Sequence, residues 1–127
     1  MSDRELIRKA YEAWNTRDYE TIWELLDPSA EVNASARVMN PDVYHGHEGF
    51  QRFIDEIAEV WDEWRIEPEE FIEGADGTLV VARARARGRG SGVELDQVAY
   101  NTWKVRDGKV VRAALFYDKA DALQDVS

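Results

Sequence analysis

The sequence predicts one α+β domain in which helices come first and a curled, largely antiparallel β-sheet follows. Three observations predict it. Phe50, Phe53, Ile54, Ile57, Val60, Trp61 and Trp64 recur at the spacing of an amphipathic helix, with acidic and amide residues covering the opposite side. Beyond Trp64 the period changes to two, with Val80, Ala82, Ala84 and Ala86 on one strand face and Arg83, Arg85, Arg87 and Arg89 on the other. Gly74-Ala75-Asp76-Gly77, the Gly88 to Gly92 stretch and Asp107-Gly108 then punctuate the second half as turns between neighbouring strands.

Each element has a local reason. Ser2 with Glu5 three residues on is a capping-box signal, and Leu6, Ile7, Ala10, Tyr11 and Trp14 continue the helix to near Asn15. Asp18 is the expected cap of a second helix that buries Tyr19, Ile22, Trp23, Leu25 and Leu26 and stops at Asp27-Pro28. Residues 30–36 alternate loosely as a short strand, and 37–45, with Asn40-Pro41-Asp42, form a loop. The third and longest helix carries Phe50 through Trp64. Strands are expected over 66–72, 79–89, 93–106 and 110–118, followed by a short tail. No repeat, linker or low-complexity tract divides the chain, so a single domain over residues 1–127 is expected.

Composition narrows the function. With 26 acidic residues against 16 basic ones the formal charge is −10, which argues against nucleic acid and against anionic membranes as partners. There are no cysteines, so disulfide, thiolate and Cys-metal chemistry are excluded. No apolar run reaches membrane-spanning length, and Met1-Ser2-Asp3-Arg4-Glu5 is unlike a signal peptide, so a cytoplasmic location is expected. The five Trp, five Tyr and four Phe fill core volume and also suit a pocket for apolar or ring-shaped ligands.

Three segments, "YEAWNTRDYETIWELLDPSAEV", "YHGHEGFQRFI" and "WKVRDGKVVRAALFYDKADAL", resemble in order and spacing the SnoaL-like (polyketide-cyclase-like) proteins of the NTF2-like superfamily. The resemblance implies a cone with a pocket between the long helix and the concave sheet face, a tendency to homodimerise, and a superfamily of cyclases, isomerases, epoxide hydrolases, dehydratases and non-catalytic binders. Matched to ketosteroid isomerases, the base position falls on Ala34, the helix-1 Tyr position near Ala10 beside Tyr11, and the oxyanion-hole Asp near Asn101. Matched to limonene-type epoxide hydrolases, the last-strand Asp falls on Leu115. Matched to the cyclases, the last-strand acid/base Asp falls on Asp118 in "FYDKADAL".

The candidate residues carry paired readings. Asp118, if enclosed beside Phe116 and Tyr117, would gain a raised pKa and shuttle a proton; otherwise it caps the chain end or pairs with an Arg. Asn101, on the strand parity of Ala99, Trp103 and Val105, would steady an oxyanion or bond a neighbouring side chain. His45 is a rim acid/base candidate; with His47 it forms a His-x-His pair that lacks a third ligand, so no metal is expected. Tyr11, Trp14, Asn33, Trp61, Trp103 and Phe116 are candidates for the pocket wall. The alanines at 82, 84 and 86 leave space on the same face, and the arginine row is read as a solvated or dimer-facing surface. The expected function is a cofactor-free cyclase, isomerase or hydrolase acting on a small apolar carbonyl compound; the alternatives are a non-catalytic binder of such a molecule and a dimeric interaction domain.

Overall fold

In the computed structural model, which describes residues 1–37 and 41–127, the chain starts as the capping signal requires. The Ser2 hydroxyl accepts from the Glu5 amide at 3.2 Å, and helix α1 runs Asp3–Asn15. Asp18 caps α2 (Tyr19–Leu25) by accepting from Thr21 N. Strand β1 (Leu26–Asn33), β2 (Val43–His45), helix α3 (Gly46–Val60) and strands β3 (Trp61–Gly74), β4 (Gly77–Gly88), β5 (Glu94–Arg106) and β6 (Lys109–Phe116) follow, and α4 (Lys119–Val126) closes the chain.

The fold is α+β, with four helices among the described residues on a curled, mixed sheet of order β2-β1-β6-β5-β4-β3. All neighbours pair antiparallel except β1 and β6, which run parallel. The β5–β6 turn places Asp107 at φ 52° and Gly108 at φ 74°, the paired left-handed conformation of a tight hairpin, which an Asp-Gly pair tolerates. The main core lies on the inner sheet face, where Leu6, Leu25, Leu26, Val32, Phe50, Phe53, Ile54 and Val110 pack together. A smaller outer cluster of Leu79, Ala122 and Val126 sits beneath α4.

Four expectations change. First, the third helix ends at Val60 rather than beyond Trp64, because Trp61 turns to extended backbone (φ −119°, ψ 135°) and joins the ladder with β4. Trp61 pairs with Gly88 and Glu63 with Arg87, so Asp62 is an extra residue. That bulge lets two residues three apart, Trp61 and Trp64, share one strand face, which imitates helical spacing in the sequence. Second, Asp27-Pro28 stands within β1 rather than ending α2. Pro28 falls where the β1–β6 register shifts between Leu26 and Glu31, so its missing N–H breaks no ladder bond. Third, the stretch read as a loop contains β2; Asn40 lies outside the described residues. Fourth, the tail is a helix. Asp118 caps it, and Ala122 and Val126, four residues apart, bury its inner side. Gly74 admits this helix, because a Cβ there would come within 2.1 Å of the Val126 carbonyl oxygen.

Two polar contacts hold α1 against the sheet edge. Asn15 donates to Ile66 O at 2.8 Å and accepts from Ile66 N at 2.9 Å, pairing the open side of edge strand β3. Arg17 donates to Trp64 O at 2.6 Å and lies over the Trp64 ring, 3.9 Å from its centroid.

Candidate functional site

The inner sheet face and the helices over it enclose a cavity of about 280 Å³. Strand alternation supplies one wall. Leu95, Gln97, Ala99, Asn101 and Trp103 follow one parity of β5, and their cross-strand partners Ala84 and Ala86 on β4, and Ala113 and Leu115 on β6, share that face. Trp14, Phe50, Phe53 and Ile57 from α1 and α3 form the opposing wall, with Trp61 and Trp64 at the side. Four alanines facing a helix pair leave volume that larger side chains would fill, and that deficit is the cavity.

One pole is polar. Tyr11 and Asn101, 3% and 4% exposed, meet there. The Tyr11 hydroxyl oxygen accepts from Asn101 Nδ2 at 2.9 Å and from Trp103 Nε1 at 3.0 Å. Tyr11 meets the Trp103 ring edge-on, with centroids 5.2 Å apart. Burial raises the Tyr11 hydroxyl far above its ordinary pKa of 10.0, and the hydrogen bonds from Asn101 and Trp103 oppose the shift only in part. Tyr11 therefore keeps its proton at neutral pH. Asn101 Oδ1 is buried without a partner. A half-turn of the amide exchanges its two ends, so that Tyr11 donates to Oδ1 and the amide N–H groups are left over. In either arrangement at least one polar group of the trio is left without an internal partner.

Two further buried polar atoms without partners, Trp64 Nε1 and Arg37 Nε, also belong to wall residues. Arg37 enters from the chain after β1, donates from Nη2 to the Tyr44 hydroxyl at 3.0 Å, and lies 5.4 Å from the Phe53 ring centroid. Arg65 and Arg85 are exposed and border the cavity on the β3–β4 side. Among the described residues no Asp, Glu or His lines the cavity.

The expected site residues divide. Tyr11, Trp14, Trp61, Asn101 and Trp103 line the cavity. Phe116 borders it, but in register it shares the outer face with Tyr100, and it packs in the outer cluster with Leu79. Leu115 takes the inward position instead. Asp118 stands outside: it is exposed, and its carboxylate accepts from Ala120 N at 2.7 Å and Asp121 N at 3.2 Å as the cap of α4. An acid/base role in the cavity does not fit that placement. Asn33 also points away; it accepts from the Ser35 amide and hydroxyl while its neighbours Val32 and Ala34 are buried. His45 is exposed at the start of α3 and does not line the cavity. His47 stacks on Trp23 at 5.3 Å, and the described residues contain no group of three His, Cys, Asp or Glu placed to hold a metal. The arginine row is outward and ion-paired: Arg83 with Asp96 at 3.3 Å, Arg85 with Asp96 at 3.6 Å, Arg89 with Asp62 at 3.0 Å.

Sequence reasoning missed Gln97, Leu95 and Leu115, which extending the β5 and β6 alternation would have found. It missed Arg37 altogether, because a cation in a connecting segment carries no periodic signal.

Comparison with known proteins decides the family, since residues 7–113 match the SnoaL-like domain. The chain belongs to the SnoaL-like family. Solved structures agree on the fold. An NTF2-like protein of unknown function from Burkholderia pseudomallei K96243 is 23% identical with a TM-score of 0.81, over 100% of this chain and 99% of that one. TerC, crystallised with polyporic acid, is 24% identical with a TM-score of 0.78, over 96% and 95%. A putative SnoaL-like polyketide cyclase from Jannaschia sp. CCS1 is 18% identical with a TM-score of 0.76, over 97% and 90%. No curated protein matches. The curled sheet and covering helices of this SnoaL-like chain thus form an NTF2-like fold.

Proposed function

We propose that this SnoaL-like protein binds a small, apolar, oxygen-bearing molecule inside the cone, with Tyr11 and Asn101 holding a carbonyl or hydroxyl oxygen. The observation that carries the reading is the coincidence of an apolar cavity with a Tyr11–Asn101–Trp103 trio at its wall that leaves a buried Asn101 polar atom without a partner. Buried polar groups are normally paired, and a bound oxygen would complete the set. A neutral Tyr hydroxyl donates to a carbonyl without needing a counter-charge. The polyporic acid in TerC supports the same use of a like fold.

Carbonyl polarisation is also a catalytic act, and this favours a second reading as a cofactor-free cyclase, isomerase or hydrolase. Tyr11 and Asn101 would steady a developing oxyanion, while proton abstraction would fall to water or to the substrate itself. The binding reading ranks first because Asp118, the carboxylate matched to the cyclases, lies outside the cavity. A homodimer joined through the outer sheet face, where the arginine row lies, belongs to the same proposal; sedimentation at twice the 14.6 kDa chain mass supports it, and sedimentation as a monomer removes it.

Methyl 2-naphthoate, a flat bicycle with one carbonyl group, tests the binding reading. Quenching of tryptophan fluorescence should saturate with the parent protein. Ala99→Phe, which puts a ring into the cavity, should weaken the interaction at least tenfold without changing the far-ultraviolet dichroism. Equal affinity for parent and variant would place the ligand elsewhere.

A further inference from the structure

The chain carries a net charge of −10, yet the cavity wall includes Arg37, Arg65 and Arg85 and, among the described residues, no Asp or Glu. The three arginines differ. Arg65 pairs with Glu67, and Arg85 lies 3.6 Å from Asp96, both in solvent-exposed surroundings. Arg37 forms no ion pair with any carboxylate of the described residues, and Val38, Met39 and Asn40, which follow it, carry none. The acids around it are engaged elsewhere: Glu56 accepts from the Tyr44 hydroxyl at 2.6 Å and from Arg52 at 3.1 Å, and Asp42, which feels the Arg37 charge, accepts from Arg52 at 2.9 Å.

Arg37 is also held in place. The Tyr44 oxygen takes one Nη2 proton, and the guanidinium lies 5.4 Å from the Phe53 centroid and 5.8 Å from that of Tyr44. Its Nε is enclosed without a partner. A partly buried, oriented guanidinium with an unpaired donor and no ion pair of its own leaves a desolvation cost that an anionic oxygen offsets better than a neutral one. Arginine's planar fork suits the two oxygens of a carboxylate, whereas the Tyr11–Asn101 pole suits a neutral oxygen.

We propose that the ligand of the cone is an apolar acid, bearing a carboxylate or an enol or phenol ionised at neutral pH, and that Arg37 is the residue that selects it. The proposal rests on the cavity being a binding site and adds the charge class of the molecule.

The test is a matched pair, 2-naphthoate against methyl 2-naphthoate, titrated at pH 7.5 into the parent protein and into Arg37→Gln, Arg37→Lys, Arg65→Gln and Arg85→Gln. A hydrogen-bonded charge pair corresponds to about ten- to a hundredfold in affinity, so the parent should prefer the acid by roughly that factor. Arg37→Gln should abolish the preference by weakening the acid more than the ester, Arg37→Lys should keep part of it, and the rim variants should keep all of it. If the ester binds as tightly as the acid, the proposal falls and the cavity reading stands; the parent comparison needs no variant to fold. A preference that survives Arg37→Gln, or moves to a rim variant, also overturns it. If neither compound binds, both readings fall.

Discussion

Replacing Tyr11 by Phe deletes a single oxygen atom but orphans one buried and one partly buried donor. Asn101 Nδ2 and Trp103 Nε1, at 2.9 and 3.0 Å from that oxygen, lose their acceptor, and Asn101 Oδ1 already lacks a partner. The ring remains, so packing against Ile7, Val80 and Ala82 is kept and no new void of ring size forms. Each orphaned donor costs about 1–3 kcal/mol; taking the lower half of that range twice gives a loss of about 3 kcal/mol. For a chain of this size that lowers Tm by roughly 10–15 °C. Urea unfolding followed by tryptophan fluorescence measures the loss directly. Adding Asn101→Leu to Tyr11→Phe removes one orphan, so the double variant should lose less than the sum of the single losses. The pH dependence gives a second readout. The folded-state pKa of Tyr11 is raised, so its contribution is intact below the ordinary value of 10.0 and is lost as pH rises above it, when the unfolded chain ionises and the folded chain does not. Tyr11→Phe should flatten the decline between pH 9 and 11, leaving the smaller share that Tyr19 and Tyr44, also raised by burial, contribute. A Tyr11→Phe protein within 2 °C of the parent would refute the reasoning, since the two donors would then have other acceptors.

Other residues make separate claims. Asn15→Ala leaves the Ile66 N–H and C=O on the open side of β3 unpaired, and should cost about 1–3 kcal/mol by urea unfolding and loosen ligand binding through the α1–β3 contact. Asp125 is partly buried, which alone would raise its carboxyl pKa, but hydrogen bonds from Thr102 and Arg112 outweigh burial and hold it below the usual carboxylate range. Its stabilisation is therefore present at neutral pH and is lost as pH falls below about 4; Asp125→Asn should be less stable at pH 7 and show a shallower loss on acidification in the same assay. Asp118→Ala removes the cap of α4 and should cost about 1 kcal/mol of stability while leaving methyl 2-naphthoate affinity unchanged, whereas a fall in affinity would return Asp118 to the site.

The order of elements was legible because period and turn chemistry are local. The Ser2 cap, the Asp18 cap and the Asp107-Gly108 hairpin stand where side-chain hydrogen bonding and left-handed backbone demand them. The alternation of β4 and β5 puts Ala84, Ala86, Ala99, Asn101 and Trp103 on one face, and all five line the cavity. What failed was set by tertiary pairing. A bulge at Asp62 gave a strand a helix's spacing, and β1 absorbed a proline where its ladder was already interrupted. Asp118 was misplaced for a related reason: a carboxylate at the end of a strand and at the start of a helix reads the same in sequence, and only Ala122 and Val126 beyond it point to the helix. Arg37 has no local signature, since its meaning lies in how Arg52 engages the acids beside it.

The indole N–H signals of the five tryptophans offer the most direct test of the central claim. Trp14, Trp61, Trp64 and Trp103 line the cavity, while Trp23 does not and instead stacks on His47. In a proton–nitrogen correlation spectrum titrated with methyl 2-naphthoate, the Trp103 signal, whose proton is bonded to Tyr11, should shift most, the other three lining residues should follow, and Trp23 should stay in place. Shifts confined to Trp23, or a spectrum in which Trp103 does not move while ligand binds, would contradict a binding site inside the cone.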